Sequence, residues 1–394
     1  MTKNLQRDTW VDYLRAAITV LVVAHHSSLA YTTFSSFDKA AYINSTHPVV
    51  DNKRWIGLDI FENFNDVFFM SLMFFIGGLF LTKSIAKKGV IAFIRDRCLR
   101  LFIPFIFIGT LSNLIAHFPS FYIAHNDSNI KAYIADFFTV EKWPVGPPWF
   151  IWVLFVFNVL FALIYTFAKN IFNNIGDRVK QLGNRPVLCF LLLVALTWIS
   201  YVPIAYNIGA GTWTGWGPFD FQLSRILLYF GYFMTGAIIG SSDFHTGIFA
   251  RNTLLVSKWK LWATLALAVY LILTISGEYN VLKNLVLKGL LPEFAAWMIY
   301  YTIYVSSCTL SCITFLTAFR TLANTPTAWM DSLAANAYLI YLIHYIFVIW
   351  TQLFLLDLAT PAFAKFLIVF VNALALSWMI SSILRRSPIV KKYL

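Results

Sequence analysis

Residues 11–31 read VDYLRAAITVLVVAHHSSLAY, and this stretch decides the fold. Between Arg15 and His25 there is only Ala, Ile, Thr, Val and Leu. That is a membrane-depth apolar helix with a cation at one end and two imidazoles near the other. Arg15 and His26 are eleven positions apart, which on an α-helix is about three turns and about 16 Å. They fall almost on one line along one face, and His25 points about 80° to the side. Arg15 alone reads as a cytoplasmic anchor. His26 is different, because a polar group at membrane depth is costly and marks a functional site by default.

The whole composition agrees with a membrane protein. Of 394 residues, 59% are hydrophobic and only 12% charged, with mean hydropathy +0.69. Soluble domains carry about 25% charged residues. The net charge of +12 is not a nucleic-acid signal, because the basic residues follow the loops of one side. The N-terminus is polar and the first apolar run is long enough to span and stay, so no cleavable signal peptide is expected. Cys98, Cys189, Cys308 and Cys312 have no metal-ligand spacing, so they read as packing residues and no metal is expected.

Apolar runs of about 20 residues give ten spans. They lie near 13–34, 60–82, 101–122, 149–168, 187–206, 220–240, 261–277, 293–319, 332–355 and 362–384. The expected fold is all-α, a polytopic membrane helix bundle in a single domain, 1–394. Most Lys and Arg residues collect in alternate loops, among them Lys3, Arg7, Lys83, Arg178, Arg251, Arg385 and Lys391. That bias places both termini in the cytoplasm.

Four further groups of residues stand out. Asp59, Glu62 and Asp66 share a face near the outer end of the second span. One of these carboxylates would pair with His26 and set its tautomer, with Asp59 read as a hydrated helix start. Gly77-Gly78 in the same span allows close approach of a neighbouring helix. Arg95, Arg97 and Arg100 before Pro104 form a cluster whose guanidinium forks suit phosphate, although the positive-inside rule also accounts for it. Trp143, Trp149 and Trp152, with Pro144, Pro147 and Pro148, read as an interface belt or a stacking platform for a sugar ring; the Gly- and Trp-rich loop 207–219 carries the same two readings. In the ninth span Tyr338, Tyr341, His344 and Tyr345 make a polar face, with His344 mid-helix.

Taken together, these residues resemble the acyltransferase-3 family of integral membrane proteins. Arg15-x10-His26 resembles its signature in the first helix, and Arg97-Cys98-Leu99-Arg100 its R-x-x-R motif. Pro148-Trp149-Phe150-Ile151 is similar to its tryptophan motif. Tyr338-Leu339-Ile340-Tyr341-Leu342-Ile343-His344 is similar to its late Tyr…His motif. The glucan-succinylating branch is the nearer comparison. The chain departs from the family in the second span, where Ser71 stands near the usual aspartate, and no hydrolase-like domain is expected after the tenth span.

The resemblance implies an enzyme. It would move an acetyl- or succinyl-type group from a cytoplasmic acyl-CoA to a hydroxyl of an extracytoplasmic glycan or lipid-linked saccharide, in the inner or plasma membrane. Acyl-CoA would be a co-substrate, with no tightly bound cofactor; the other partners would be membrane lipids and no nucleic acid. The resemblance implies roles for His26, His25, Arg15, Asp66 and Glu62 in catalysis. It assigns Arg95, Arg97 and Arg100 to donor phosphates, and Trp149, Tyr341 and His344 to substrate. A proton-coupled transporter or polysaccharide exporter is the competing class, since intramembrane His, Arg and carboxylates also mark ion paths. Against it, no paired Gly/Pro-broken helices occupy matching halves. A non-catalytic receptor is the third.

Overall fold

The computed structural model describes residues 8–139, 143, 144 and 146–394. Lys3 and Arg7, counted toward the cytoplasmic side, lie outside them, as do Glu141 and Lys142. Among the described residues nine helices are long and apolar enough to cross a membrane. With α1 (Thr9–Ser28) preceding them, they are α2 (Ile56–Lys88), α3 (Val90–His125), α4 (Trp149–Asn184), α5 (Pro186–Ile208), α6 (Leu223–Ser241), α7 (Trp259–Glu278), α8 (Glu293–Leu322), α9 (Ala328–Leu355) and α10 (Ala362–Leu384). Each corresponds to one expected span, so the protein is a polytopic helical bundle.

The boundaries differ where side chains other than apolar ones decide. Helix α4 continues past 168, but Ala168 leaves helical geometry (φ −117°, ψ 18°), so the apolar span ends there in a kink. Residues 221 and 222, expected inside the sixth span, form strand β2 (Phe221–Gln222). It pairs with β1 (Trp213–Thr214) in an antiparallel hairpin. Pro104 lies between two π-helical turns, Cys98–Phe102 and Phe105–Gly109. Wide turns of this kind accommodate a residue that lacks an N–H and crowds the preceding turn.

Helix α1 lies at the centre of the bundle, packed on α2, α8, α9 and α10. This follows from its polar residues, which cannot face lipid without a large desolvation cost. Helices α2 and α6 cross at backbone contact. A Cβ on Gly78 would fall 2.1 Å from the Phe233 carbonyl oxygen, one on Gly236 2.0 Å from that of Phe75, and one on Gly240 1.8 Å from that of Leu79. Small residues permit such close approach, which is how membrane helices gain dispersion energy without a hydrophobic driving force. Gly77, by contrast, faces the Leu154 side chain at 2.9 Å.

The segment between α1 and α2 folds back over the histidine end of α1. Asp51 N–H donates to the Ala30 carbonyl at 2.9 Å and Trp55 N–H to Tyr31 at 3.0 Å. Asp59 is buried, not hydrated, and accepts from the Thr33 N–H (2.8 Å) and hydroxyl. Lys365, fully buried, pairs with Asp51 at 2.5 Å and donates to the Leu356 carbonyl at 3.2 Å. His47 Nε2 meets Gln352 Oε1 at 2.8 Å, and the Gln352 amide donates to the His26 carbonyl at 3.3 Å.

Two predictions follow from these contacts. Gly240→Ala or Gly236→Ala will force α2 and α6 apart and lower the thermal midpoint in detergent by an amount equivalent to about 1–3 kcal/mol. Gly211→Ala, where a Cβ meets nothing within 4 Å, will leave it unchanged. The second concerns the folded-back segment. Burial pushes the His47 imidazole down from 6.5 to about 3, against the opposing bond to Gln352. An opened segment therefore binds a proton that the closed one does not, and the closed state loses stability as pH falls from 6.5 toward 3. Hydrogen exchange at Asp51 and Trp55, corrected for the intrinsic rate, will show more opening at pH 5 than at pH 7.5. His47→Gln will remove most of that difference.

Candidate functional site

The apolar run from Arg15 to His25 separates two polar regions. At the arginine end a cavity of about 500 Å³ is lined by Asp12, Arg15, Arg97, Arg100, Tyr338 and Tyr341, with apolar side chains from α2 and α4. Arg15 donates to Asp12 at 2.6 Å, one helical turn away. Arg100 donates to Asp96 at 3.1 Å, and its carbonyl accepts from Tyr338 at 2.7 Å. Arg97 lies over the Phe93 ring at 5.0 Å, and its buried Nε has no partner among the described residues. Arg95, grouped with these residues at the sequence level, is exposed and is not among the lining residues. It follows the helix face turned away from the cavity.

Tyr341 marks the deep part of this cavity. Its hydroxyl donates to the Pro147 carbonyl, and its ring meets Phe150 at 5.7 Å. The Pro-rich turn before α4 therefore reaches the middle of α9. One turn further along α9, the His344 Nδ1–H donates to the Tyr341 carbonyl at 2.8 Å. A carbonyl only accepts, so the neutral ring carries its proton on Nδ1 and offers Nε2 as an acceptor. Among the described residues, that buried Nε2 has no partner, nor has Nδ1 of His25 or of His26. Buried polar atoms without partners are rare and mark strain or a site for a missing ligand or water.

The histidines converge. The His26 ring lies 5.4 Å from that of His344 and 5.2 Å from that of Tyr345. His47 and His117 each approach Tyr345 at 6.0 Å. His25 packs edge-on to His26 at 5.2 Å. His117 is held by the Asn113 carbonyl at 2.9 Å. Most of the chain's seven histidines thus share one small volume. Among the described residues no group of three His, Cys, Asp or Glu is arranged to hold a metal. The rings meet one another edge-on or tilted.

The carboxylates of α2 diverge in three directions. Glu62 Oε1 comes within 3.8 Å of Nε2 of His25, not of His26. Asp66 is taken up by Arg225 in a two-pronged pair at 2.8 and 2.6 Å, and the Arg225 guanidinium lies 5.8 Å from the Tyr304 ring. The expected carboxylate partner of His26 is therefore an imidazole, that of His344. Ser71 accepts from the Cys308 thiol at 3.8 Å. Cys308 and Cys312 are both buried. Trp149 is half-buried against Trp213 (5.4 Å) and Tyr229 (5.8 Å), and with Trp143, Pro144 and Asp220 it lines a small cleft separate from the cavity.

Sequence reading missed Arg225, His47, His117 and Gln352. Arg225 had a signal, as a lone cation at the start of an aromatic-rich apolar run, where a partner carboxylate is required. His117 had a weaker one, a histidine inside the third span. Nothing local marks His47, which is brought in by the fold-back of a loop.

An acyltransferase-domain family matches residues 8–382. Curated relatives include glucans biosynthesis protein C of Escherichia coli O139:H28 (strain E24377A / ETEC), 24% identical over 279 residues, or 68% of this chain and 66% of the relative. Glucans biosynthesis protein C of Shigella dysenteriae serotype 1 (strain Sd197) is 24% identical over 243 residues, 59% of this chain and 58% of the relative. The matched stretch thus spans less than two thirds of the length of either relative. No solved structure matches the chain. With its acyltransferase domain running from Asp8 into the tenth membrane helix, the chain belongs to the acyltransferase-3 family.

Proposed function

We propose that this protein moves an acyl group, of acetyl or succinyl type, from an acyl-CoA in the cytoplasm to a hydroxyl of an extracytoplasmic glycan or lipid-linked saccharide. The arginine end of α1, with both termini, faces the cytoplasm. The histidine end faces outward, in the inner or plasma membrane. Glucans biosynthesis protein C is the name of the relatives above, and a glucan is the acceptor class this suggests.

The observation that carries the reading is the continuity of α1. It joins a basic cavity at one end to a cluster of partnerless imidazole nitrogens at the other. Arg97 and Arg100 would hold the donor's diphosphate, since planar guanidinium forks match phosphate oxygens. Arg15, on the same cavity wall, would guide the pantetheine arm toward Tyr341, so that the thioester reaches the level of His344 and His26. His26 then takes the proton of the acceptor hydroxyl while that oxygen attacks the thioester carbonyl. The C–O bond forms, the C–S bond breaks, and the proton passes to the leaving thiolate. His344, with Nε2 free, sits where it can share that proton with His26. Glu62 and His25 hold the flank of the site, and the Asp66–Arg225 pair fixes α2 against α6 beneath them. Trp149 and the hairpin tryptophans offer apolar faces to a sugar ring.

Labelled acetyl- or succinyl-coenzyme A supplied to the arginine-end face of reconstituted vesicles tests this. Label is expected in acceptor glycan on the opposite face. His26→Ala will lower that transfer by about 10²- to 10⁴-fold with the protein still folded, the usual worth of a general base. Transfer by His26→Ala at the wild-type rate would sink the reading. Proton-coupled flux without any acyl donor would favour the transporter instead. Arg97→Gln or Arg100→Gln is expected to raise KM for the donor about tenfold with a smaller change in kcat, because each removes a contact made before and during transfer.

A further inference from the structure

The segment after α10 turns back on the bundle. Residues 385–387 reverse the chain into a short helix, α11 (Pro388–Tyr393). The Arg385 guanidinium donates to the main-chain oxygen of Leu394 at 2.6 Å and closes the turn. This arm brings Arg385, Lys391, Lys392 and Tyr393 onto the wall of the cavity that already holds Arg15, Arg97 and Arg100. Cations from α1, α3 and the arm thus meet in one space. Among the described residues the single acidic residue on its wall is Asp12, already bound to Arg15.

The two basic groups differ in chemistry and in state. Arg15 and Arg100 have carboxylate partners in Asp12 and Asp96. Among the described residues no carboxylate pairs with Lys391 or Lys392, and Lys392 rests against the Tyr393 ring at 5.0 Å. Like charges gathered without counter-charge raise the energy of the folded state, and an anionic ligand removes that cost. A lysine ammonium is a compact point charge suited to a phosphomonoester, whereas the guanidinium fork suits a diphosphate.

We propose that the arm of residues 385–394 is a second phosphate-binding element of the cavity. It recognises a phosphomonoester set apart from the diphosphate held by Arg97 and Arg100. The ligand class is a nucleotide carrying both a diphosphate ester and a separate ribose phosphate. The proposal rests on the cavity being the donor site, and it makes the arm the element that selects such a donor over one without the extra phosphate.

The test is equilibrium binding of coenzyme A and of 3′-dephospho-coenzyme A to the full chain in phosphatidylcholine nanodiscs. Wild type is expected to bind coenzyme A about tenfold more tightly than the dephospho compound. Lys391→Gln/Lys392→Gln will lose that preference and keep dephospho-coenzyme A affinity within about twofold of wild type. Lys391→Arg/Lys392→Arg will retain the preference. Equal weakening of both compounds in the Gln variant would reduce the arm to diffuse attraction and overturn the proposal. So would a variant that alters binding only in nanodiscs containing phosphatidylglycerol, which assigns the lysines to lipid headgroups. Wild type binding both compounds equally overturns the arm's role and leaves the donor site standing. Wild type binding neither refutes the donor site, and the arm's assignment falls with it.

Discussion

A guanidinium and two imidazoles on one 20-residue apolar helix set the constraint on which the bundle depends. None of the three can face lipid cheaply. Helix α1 must therefore be enclosed, and α2, α8, α9 and α10 enclose it. Enclosure alone is not enough, because each polar atom then requires a partner or a water-filled space. Arg15 has both, in Asp12 and the cavity. His25 has Glu62 beside it, and His26 has the ring of His344. The surrounding helices are thus chosen as much for what they bring to α1 as for their own apolar faces.

The same rule explains the ion pairs away from the cavity. Arg225 and Lys365 lie in the first turns of α6 and α10, and both are buried. Each pairs with an aspartate from the α1–α2 region, Asp66 and Asp51 respectively. Breaking one member of such a pair leaves an uncompensated charge, costing about 3–5 kcal/mol. These pairs therefore fix where α6 and α10 stand relative to α1 and α2. They do so in a medium where apolar packing by itself is weakly specific, since lipid tails are as apolar as the helices.

Nine of the ten spans were legible because each is an apolar run of the required length, and the phase of α1 already placed Arg15 and His26 on one line. Arg97 and Arg100 were legible as a basic cluster and Tyr341 as part of a separate polar helix face, and the fold brings all three to the cavity. What was not legible is pairing across helices. The spacing of Asp59, Glu62 and Asp66 says that they share a face, but that face meets three different neighbours. Spacing within one helix cannot say which neighbour each residue meets. Arg95 shows the converse error, in which nearness in sequence stood for nearness in space. The hairpin at residues 213–222 was hidden because its strands are two residues long, too short for alternation to register.

The two ends of α1 are not equivalent, and the difference lies in how each end is open to its surroundings. At the arginine end the cavity is formed without moving any element. At the histidine end the segment between α1 and α2 lies across the site. Asp51, Trp55 and Asp59 hold it by local bonds, and His47 ties it to Gln352, whose amide in turn reaches the main chain of α1 at His26. A loop that hydrogen-bonds to the helix carrying the histidines cannot lift without altering their support. Opening of that side and the geometry of His26 are therefore coupled through Gln352. Irregular backbone beside a membrane site is tolerated where it is buried in protein or lines a cavity. This segment meets the first condition while closed, and its displacement would meet the second.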